Sequence, residues 1–160
     1  EDEHRKDPVL LGECLGGAMY IEDFRRLITY LGCKDFRMMS ATPIDLLNQE
    51  IQNKVSDTKF YSITYRIFKM ELEDRCEDYG QVAYYNGEIP GHPHSFALDD
   101  HHIFETRKPM LVCGNTADML SKSHYAPFFK IAGSKDKHFG LFDCGPSPIA
   151  EATTTPNSCC

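Results

Sequence analysis

Residues 59–70 read KFYSITYRIFKM. β-Branched and aromatic side chains crowd this stretch, and such residues suit a pleated, half-buried strand. A second strand is expected at QVAYYNGEI (81–89), with Asn86-Gly87 as a turn signal near its end. The two are expected to pair as a hairpin across the acidic loop LEDRCEDYG (72–80). Further out, FRMMSATPI (36–44) reads as a short strand stopped by Pro43. SFALDDHHIFETRKPMLVCG (95–114) reads as one or two more strands, and HYAPFFKIAG (124–133) as extended and aromatic.

Between these strands the period changes. In GGAMYIEDFRRLITYL (16–31), Met19, Phe24, Leu27, Ile28 and Leu31 share one broad face, and Glu22, Asp23, Arg25 and Arg26 point away. That predicts a helix over 16–31, ended by Gly32 as its cap and covering one face of the sheet. A second helix is predicted over 45–55, with Leu46, Leu47, Ile51 and Val55 in helical register and a Thr42–Asp45 capping box. A short third is expected at NTADMLSKS (115–123), capped by Asn115 or Thr116. The fold class is therefore α+β: a mainly antiparallel sheet of about five strands with two or three helices on one side. The tail PSPIAEATTTPNSCC (146–160) has too few apolar groups to offset ordering entropy and is expected to be disordered.

Composition narrows the function classes. The chain has 160 residues and a formal charge of -7. That balance argues against nucleic-acid binding, which needs a basic footprint, and against docking on anionic lipid. No apolar run reaches the ~18 residues of a membrane span. The polar start EDEHRKDPVLLGEC lacks the pattern of a signal peptide, and the absence of an initiator Met suggests a fragment or processed product. Seven Cys (14, 33, 76, 113, 144, 159, 160) are an odd, scattered set with no CxxC pair. A reducing, cytoplasmic setting is expected.

No glycine-rich dinucleotide fingerprint, Walker loop or GxSxG occurs. His92, His94, His101 and His102 offer either a metal site or plain turn polarity between prolines. Asp99 and Asp100 with Glu88 are either an acid pair or solvated loop charges. The adjacent Cys159 and Cys160 are accessory thiols for a soft ion or a redox pair, or else a loose end. Cys14 stands apart, beside Glu13 and next to Gly16 and Gly17, whose bare backbones admit a close approach. At the start of a helix over 16–31, the positive end of the helix dipole would favour its thiolate and the like charge of Glu13 would oppose it; the alternative is a small structural Cys at a strand-to-helix joint.

GECLGGAMY (12–20) followed by an amphipathic helix resembles the arsenite S-adenosylmethionine methyltransferase family. The likeness continues through SDTKFYSITYRIFK (56–69), VAYYNGEIPGH (82–92), HFGLFDCG (138–145) and a cysteine-bearing tail. The resemblance implies that this is the C-terminal half of such an enzyme. An arsenic-binding region would occupy 1–90, continuing from an N-terminal methyltransferase domain that binds S-adenosylmethionine and lies outside this chain. A smaller C-terminal region would occupy 91–145, and a flexible cysteine-containing tail 146–160. It implies that the thiolate of Cys14 holds trivalent arsenic, as arsenite or methylarsenite, with Glu13, Gly16 and Gly17 in support. Soft thiolates suit this metalloid. Positioning its lone pair towards a methyl donor would supply ~7–11 kcal/mol of the barrier. The family's other main arsenic thiol lies upstream, and some relatives carry a Cys where this sequence has Thr58. A thiol reductant such as glutathione or thioredoxin is implied as well. The alternative is a stand-alone thiol module that binds metalloids or soft metals without catalysis.

Overall fold

The computed structural model describes residues 4–144. The expected disordered tail, with Cys159 and Cys160, lies outside them. Among the described residues the fold is α+β, with four α-helices and antiparallel strands grouped in small sheets rather than in one sheet of about five.

A one-turn helix not anticipated from periodicity comes first. α1 (Pro8–Gly12) is capped by Asp7, whose Oδ1 accepts the N–H groups of Val9 and Leu10 at 2.9 and 3.2 Å. Pro8 opens it, where its missing N–H costs nothing. α2 (Ile21–Tyr30) starts five residues later than the predicted 16. The residues between are spent on turns: Gly16 N–H bonds back to Leu10 O at 2.8 Å, and Ala18 N–H to Leu15 O at 3.0 Å. Its end is as expected. Gly32 has φ +88°, and the N–H groups of Gly32 and Cys33 return to Thr29 O and Ile28 O at 3.0 and 3.1 Å.

β1 (Phe36–Pro43) pairs antiparallel with β2 (Tyr61–Ile67), from Phe36 opposite Ile67 to Pro43 opposite Tyr61. The strand in 59–70 is therefore real, but its partner is β1 and not 81–89. Alternation identifies a strand and its buried face; it does not name the neighbour. Between them runs α3 (Gln49–Val55), capped by Asn48 Oδ1 on Glu50 N–H at 2.8 Å. The Thr42–Asp45 box does not form, because Thr42 is held in β1 opposite Ser62. α2 lies on this ribbon through Phe24, stacked on Tyr65 with centroids 4.9 Å apart and edge-on to Phe36 at 6.0 Å.

In the second half, β4 (Gln81–Tyr85) is the centre of a three-stranded sheet between β7 (Pro109–Val112) and β8 (Phe129–Ala132). The expected region boundary at 90/91 falls just after β4, which pairs across it with both neighbours. β5 (Ser95–Ala97) and β6 (Ile103–Glu105) form a hairpin. The acidic loop contributes β3 (Glu77–Asp78), paired with β9 (Gly140–Leu141). A 3-10 turn at Ala126–Phe128 interrupts the segment expected to be extended. α4 (Gly114–Lys122) packs on β4 and β8. Its cap is Cys113, whose sulfur accepts Thr116 N–H at 3.5 Å; Asn115 and Thr116 are engaged elsewhere.

The main core gathers Ala83, Tyr85, Leu98, Phe104, Val112, Met119 and Leu120 from these elements. Gly114 lets α4 approach the acidic loop. A methyl group there would come within 2.8 Å of Glu73 Oε2 and of the Tyr79 ring. Those two residues are joined by a 2.6 Å hydrogen bond from the Tyr79 hydroxyl, which pushes the phenol pKa up to about 12. Gly114→Ala is expected to destabilise the chain by about 1–3 kcal/mol through overpacking. Urea denaturation measures it, and an unchanged midpoint would show that the loop yields freely.

Candidate functional site

Cys14 stands at a joint between two anchored residues. Leu10 on α1 and Leu15 after it are buried with Ile51 and Val55 of α3, flanked by Val9, Leu46 and Phe60. An ion pair between Lys54 and Asp7 ties α3 to the start of α1. The hydrogen bond between them holds the Asp7 carboxyl below its usual value and Lys54 above its own. Within this frame Cys14 is exposed, its thiol is free, and its backbone is left-handed at φ 62°.

The structure changes one part of the sequence reading. Cys14 is not at the N-terminal end of α2, which begins seven residues later, but just past the C-terminal end of α1, after the cap residue Glu13. The expected help from a positive dipole end does not arise there. Glu13 is exposed, with its backbone N–H on Val9 O at 3.1 Å. Gly16 is buried and Gly17 exposed. Nothing lies within 4 Å of where a Gly17 side chain would begin, so packing among the described residues does not require that glycine.

The other sequence candidates are dispersed or used structurally. His92 meets Phe96 edge-on, and its carbonyl accepts the Tyr85 hydroxyl at 2.7 Å. His94 is exposed, and its carbonyl accepts Thr106 N–H. Glu88 takes an Asn86 amide N–H at 2.8 Å, while Asp99 is buried. Asp99, Asp100 and His101 bring one ligand atom each within 4.8 Å of one another. Asp99 is already engaged with Arg37 and His102, and Asp100 with His101 Nδ1 at 2.7 Å. Cys33 and Cys113 are buried free thiols. Cys76 is buried and disulfide-bonded.

A buried ionic network escaped the sequence reading. Arg37 of β1 donates through Nε and Nη2 to both Asp35 oxygens at 2.7 and 2.8 Å, and through Nη1 to Asp99 Oδ2 at 3.1 Å. Nη2 also reaches Thr116 Oγ1 at 3.1 Å. Asn115 donates to Asp35 Oδ2 at 3.1 Å and exchanges two hydrogen bonds with the Glu73 backbone. His102 Nδ1 lies 2.8 and 2.9 Å from the Asp99 oxygens and donates to them, since an ionised carboxylate only accepts. The network thus joins β1 to the β5–β6 hairpin and to α4.

Burial opposes charge at both Asp99 and Arg37, and their partners outweigh it. The hydrogen bond and charge of His102, then Arg37, hold Asp99 well below the usual carboxylate range, and Asp35 above all keeps Arg37 protonated. A carboxyl lower in the folded than in the unfolded chain stabilises fully above the unfolded value, about pH 4. That contribution is lost as pH falls towards the folded value. Asp99→Asn is therefore expected to flatten the fall in unfolding free energy below about pH 4, in denaturant titrations across that range. An acid limb as steep as wild type would contradict the assignment.

The profile of the arsenite methyltransferase C-terminal domain matches residues 78–157. An arsenite methyltransferase of Aquipseudomonas alcaligenes is 47% identical over 164 residues, covering 99% of this chain and 47% of the relative. That of Homo sapiens is 30% identical over 158 residues, covering 97% and 41%. The crystal structure of an arsenic(III) S-adenosylmethionine methyltransferase from Chlamydomonas reinhardtii superposes with a TM-score of 0.84 at 52% identity, covering 89% of this chain and 48% of that one. The chain belongs to the arsenite methyltransferase family. Within that family it contains the C-terminal domain, and it spans about half the length of the curated relatives it matches. No helix among the described residues is long and apolar enough to cross a membrane.

Proposed function

We propose that this chain is the arsenic-holding part of an arsenite methyltransferase, and that the Cys14 thiolate binds trivalent arsenic, as arsenite or methylarsenite. The observation that carries this reading is the backbone at Cys14. A left-handed conformation costs an L-residue roughly 1–2 kcal/mol, and glycine would adopt it freely. A cysteine there, exposed between two buried leucines, has a side chain with a use beyond packing. The anchored joint fixes where the sulfur sits, and soft sulfur is the ligand type that a trivalent metalloid favours.

S-adenosylmethionine belongs elsewhere. Among the described residues there is no glycine-rich strand–loop–helix, so these residues do not fit a nucleotide and the methyl donor would be bound outside this chain. One thiol is not a chelate. A second, tethered thiol acts at an effective concentration of about mM, and that gain is absent when Cys14 stands alone. Glu13, Gly16 and Gly17 flank Cys14 in the chain and would support the site, with Glu13 and Gly17 exposed beside it. A thiol reductant such as glutathione or thioredoxin would serve the complete enzyme.

The 160-residue chain is expected to bind arsenite weakly at Cys14 and to release no methylated arsenical when given arsenite and S-adenosylmethionine. Intact-mass spectrometry reads the adduct, and chromatography of arsenic species reads turnover. An adduct retained by Cys14→Ser, or steady methylation by this chain, would overturn the proposal. An adduct that survives Cys14→Ser but not loss of Cys159 and Cys160 would favour the stand-alone thiol module.

A further inference from the structure

The β1–β2 ribbon is gripped at one end and meets the frame of Cys14 at the other. At the gripped end Arg37 and Arg66 stand directly opposite each other, and opposed residues of an antiparallel pair share a face. Like charges so placed are unfavourable in themselves, yet both side chains reach the same neighbour. Arg37 meets Asp99 and Thr116. Arg66, half-buried, donates through Nη1 to Ala97 O at 3.0 Å and to Leu98 O. Its guanidinium lies over the rings of Phe96 and Tyr125, 5.4 and 5.7 Å from their centroids. Beside this pair Met38 O accepts Asp100 N–H at 3.0 Å, next to the bulge that shifts the register between Met38 and Ser40. The family profile begins at residue 78. Both arginines therefore lie outside the C-terminal domain, and each of these partners lies inside it.

The other end of the ribbon is built into the joint. Pro43 stands opposite Tyr61, and Ile44 N–H donates to Phe60 O at 2.9 Å. Phe60 packs on the cluster of Leu10, Leu15, Ile51 and Val55, and Leu15 directly follows Cys14. The stretch of β1 from Arg37 to Pro43 spans about 20 Å. Pairing with β2 along that stretch ties the grip at one end to the frame of the thiol at the other. We propose that Arg66 is a positioning residue for the arsenic site, the grip by which the C-terminal domain sets where Cys14 stands; this rests on the Cys14 reading above. Arg66 suits the role better than Arg37, because rings and carbonyl oxygens hold it, and its removal strands no buried carboxylate. Placement matters because a chelate needs the second sulfur at bonding distance, and a shift of about 1 Å can cost ~10²-fold in a site that depends on geometry.

Equilibrium titration with arsenite tests this in the full-length protein that carries this chain and in the 160-residue chain, below the melting temperature of each variant. In the full-length protein Arg66→Met is expected to weaken arsenite binding about tenfold. Arg66→Lys keeps a cation over the rings but not the planar fork, and should reduce that loss to about threefold. In the 160-residue chain both variants should bind at Cys14 as weakly as wild type does, because a single thiol has no second sulfur to meet. A residue serving stability alone would lower the melting temperature and leave both affinities unchanged. Wild-type affinity in every full-length variant that folds would overturn the inference, and Arg66→Lys carries the test if Arg66→Met does not fold. An equal loss in the two proteins would also overturn it, since the damage would then lie in the joint itself. Cys14→Ser, titrated alongside, separates the two claims. Arsenite affinity unmoved by Cys14→Ser would sink the arsenic reading, whereas binding lost in Cys14→Ser and intact in the Arg66 variants would sink the positioning role alone.

Discussion

Arg37→Met is expected to lower the stability of this chain by about 3–5 kcal/mol, the cost of removing one partner from a buried ion pair. Arg37 is 4% exposed and answers two carboxylates at once, Asp35 on its own strand segment and Asp99 from the hairpin. Methionine fills similar space and offers no hydrogen, so both carboxylates lose charge and donors together. Asp35 would still accept from the Asn115 amide, and Asp99 from His102 and two backbone N–H groups. In a domain whose total stability is typically ~5–15 kcal/mol, that is a large fraction. At roughly 2–4 °C per kcal/mol for this size, the melting temperature should fall by about 6–20 °C. A fall below about 2 °C would show that the network is not what joins β1 to the second half. Asp99→Asn in the Arg37→Met background should then cost less than it does alone, because the two groups share one interaction.

The second large effect concerns the thiol. In the intact enzyme, Cys14→Ser is expected to weaken arsenite binding by roughly 10²–10⁴, the gain that a tethered ligand ordinarily confers, and methylation should fall with it. The hydroxyl keeps the size and the left-handed backbone of the joint but is a harder, protonated donor. The fold should be unaffected, since the Cys14 side chain is exposed and the anchors are Leu10 and Leu15. Equilibrium titration with arsenite, alongside a thermal melt, separates loss of the ligand from loss of structure. Unchanged affinity would remove Cys14 from the site.

Much of this was legible in the residues. β2 is legible in its β-branched and aromatic residues, β1 in a short run stopped by Pro43, and α2 in its apolar face and the stop at Gly32. Partners were not legible. β2 looked like half of a hairpin with 81–89 because the two runs are neighbouring strands with an acidic loop between them; the pairing with β1 depends on α3 folding as the connection. The Arg37 network could not be seen, because beyond the neighbouring Asp35 its partners Asp99 and Thr116 stand 62 and 79 residues away and carry no motif. α1 was too short for a period to show, although Asp7-Pro8 is a cap followed by a favoured first helical residue. With α1 in place, Cys14 follows the end of one helix instead of preceding the start of another. Cys14 stands out in the sequence by its glycine neighbours, whereas its left-handed backbone is visible only in the structure.

Arsenic K-edge X-ray absorption on the arsenite-loaded intact enzyme tests the ligand role of Cys14 most directly, because it counts sulfur neighbours of the metalloid. With Cys14→Ser, either the bound arsenic should be lost or the fitted number of sulfur neighbours should drop by one. Full occupancy with an unaltered sulfur shell would contradict the account.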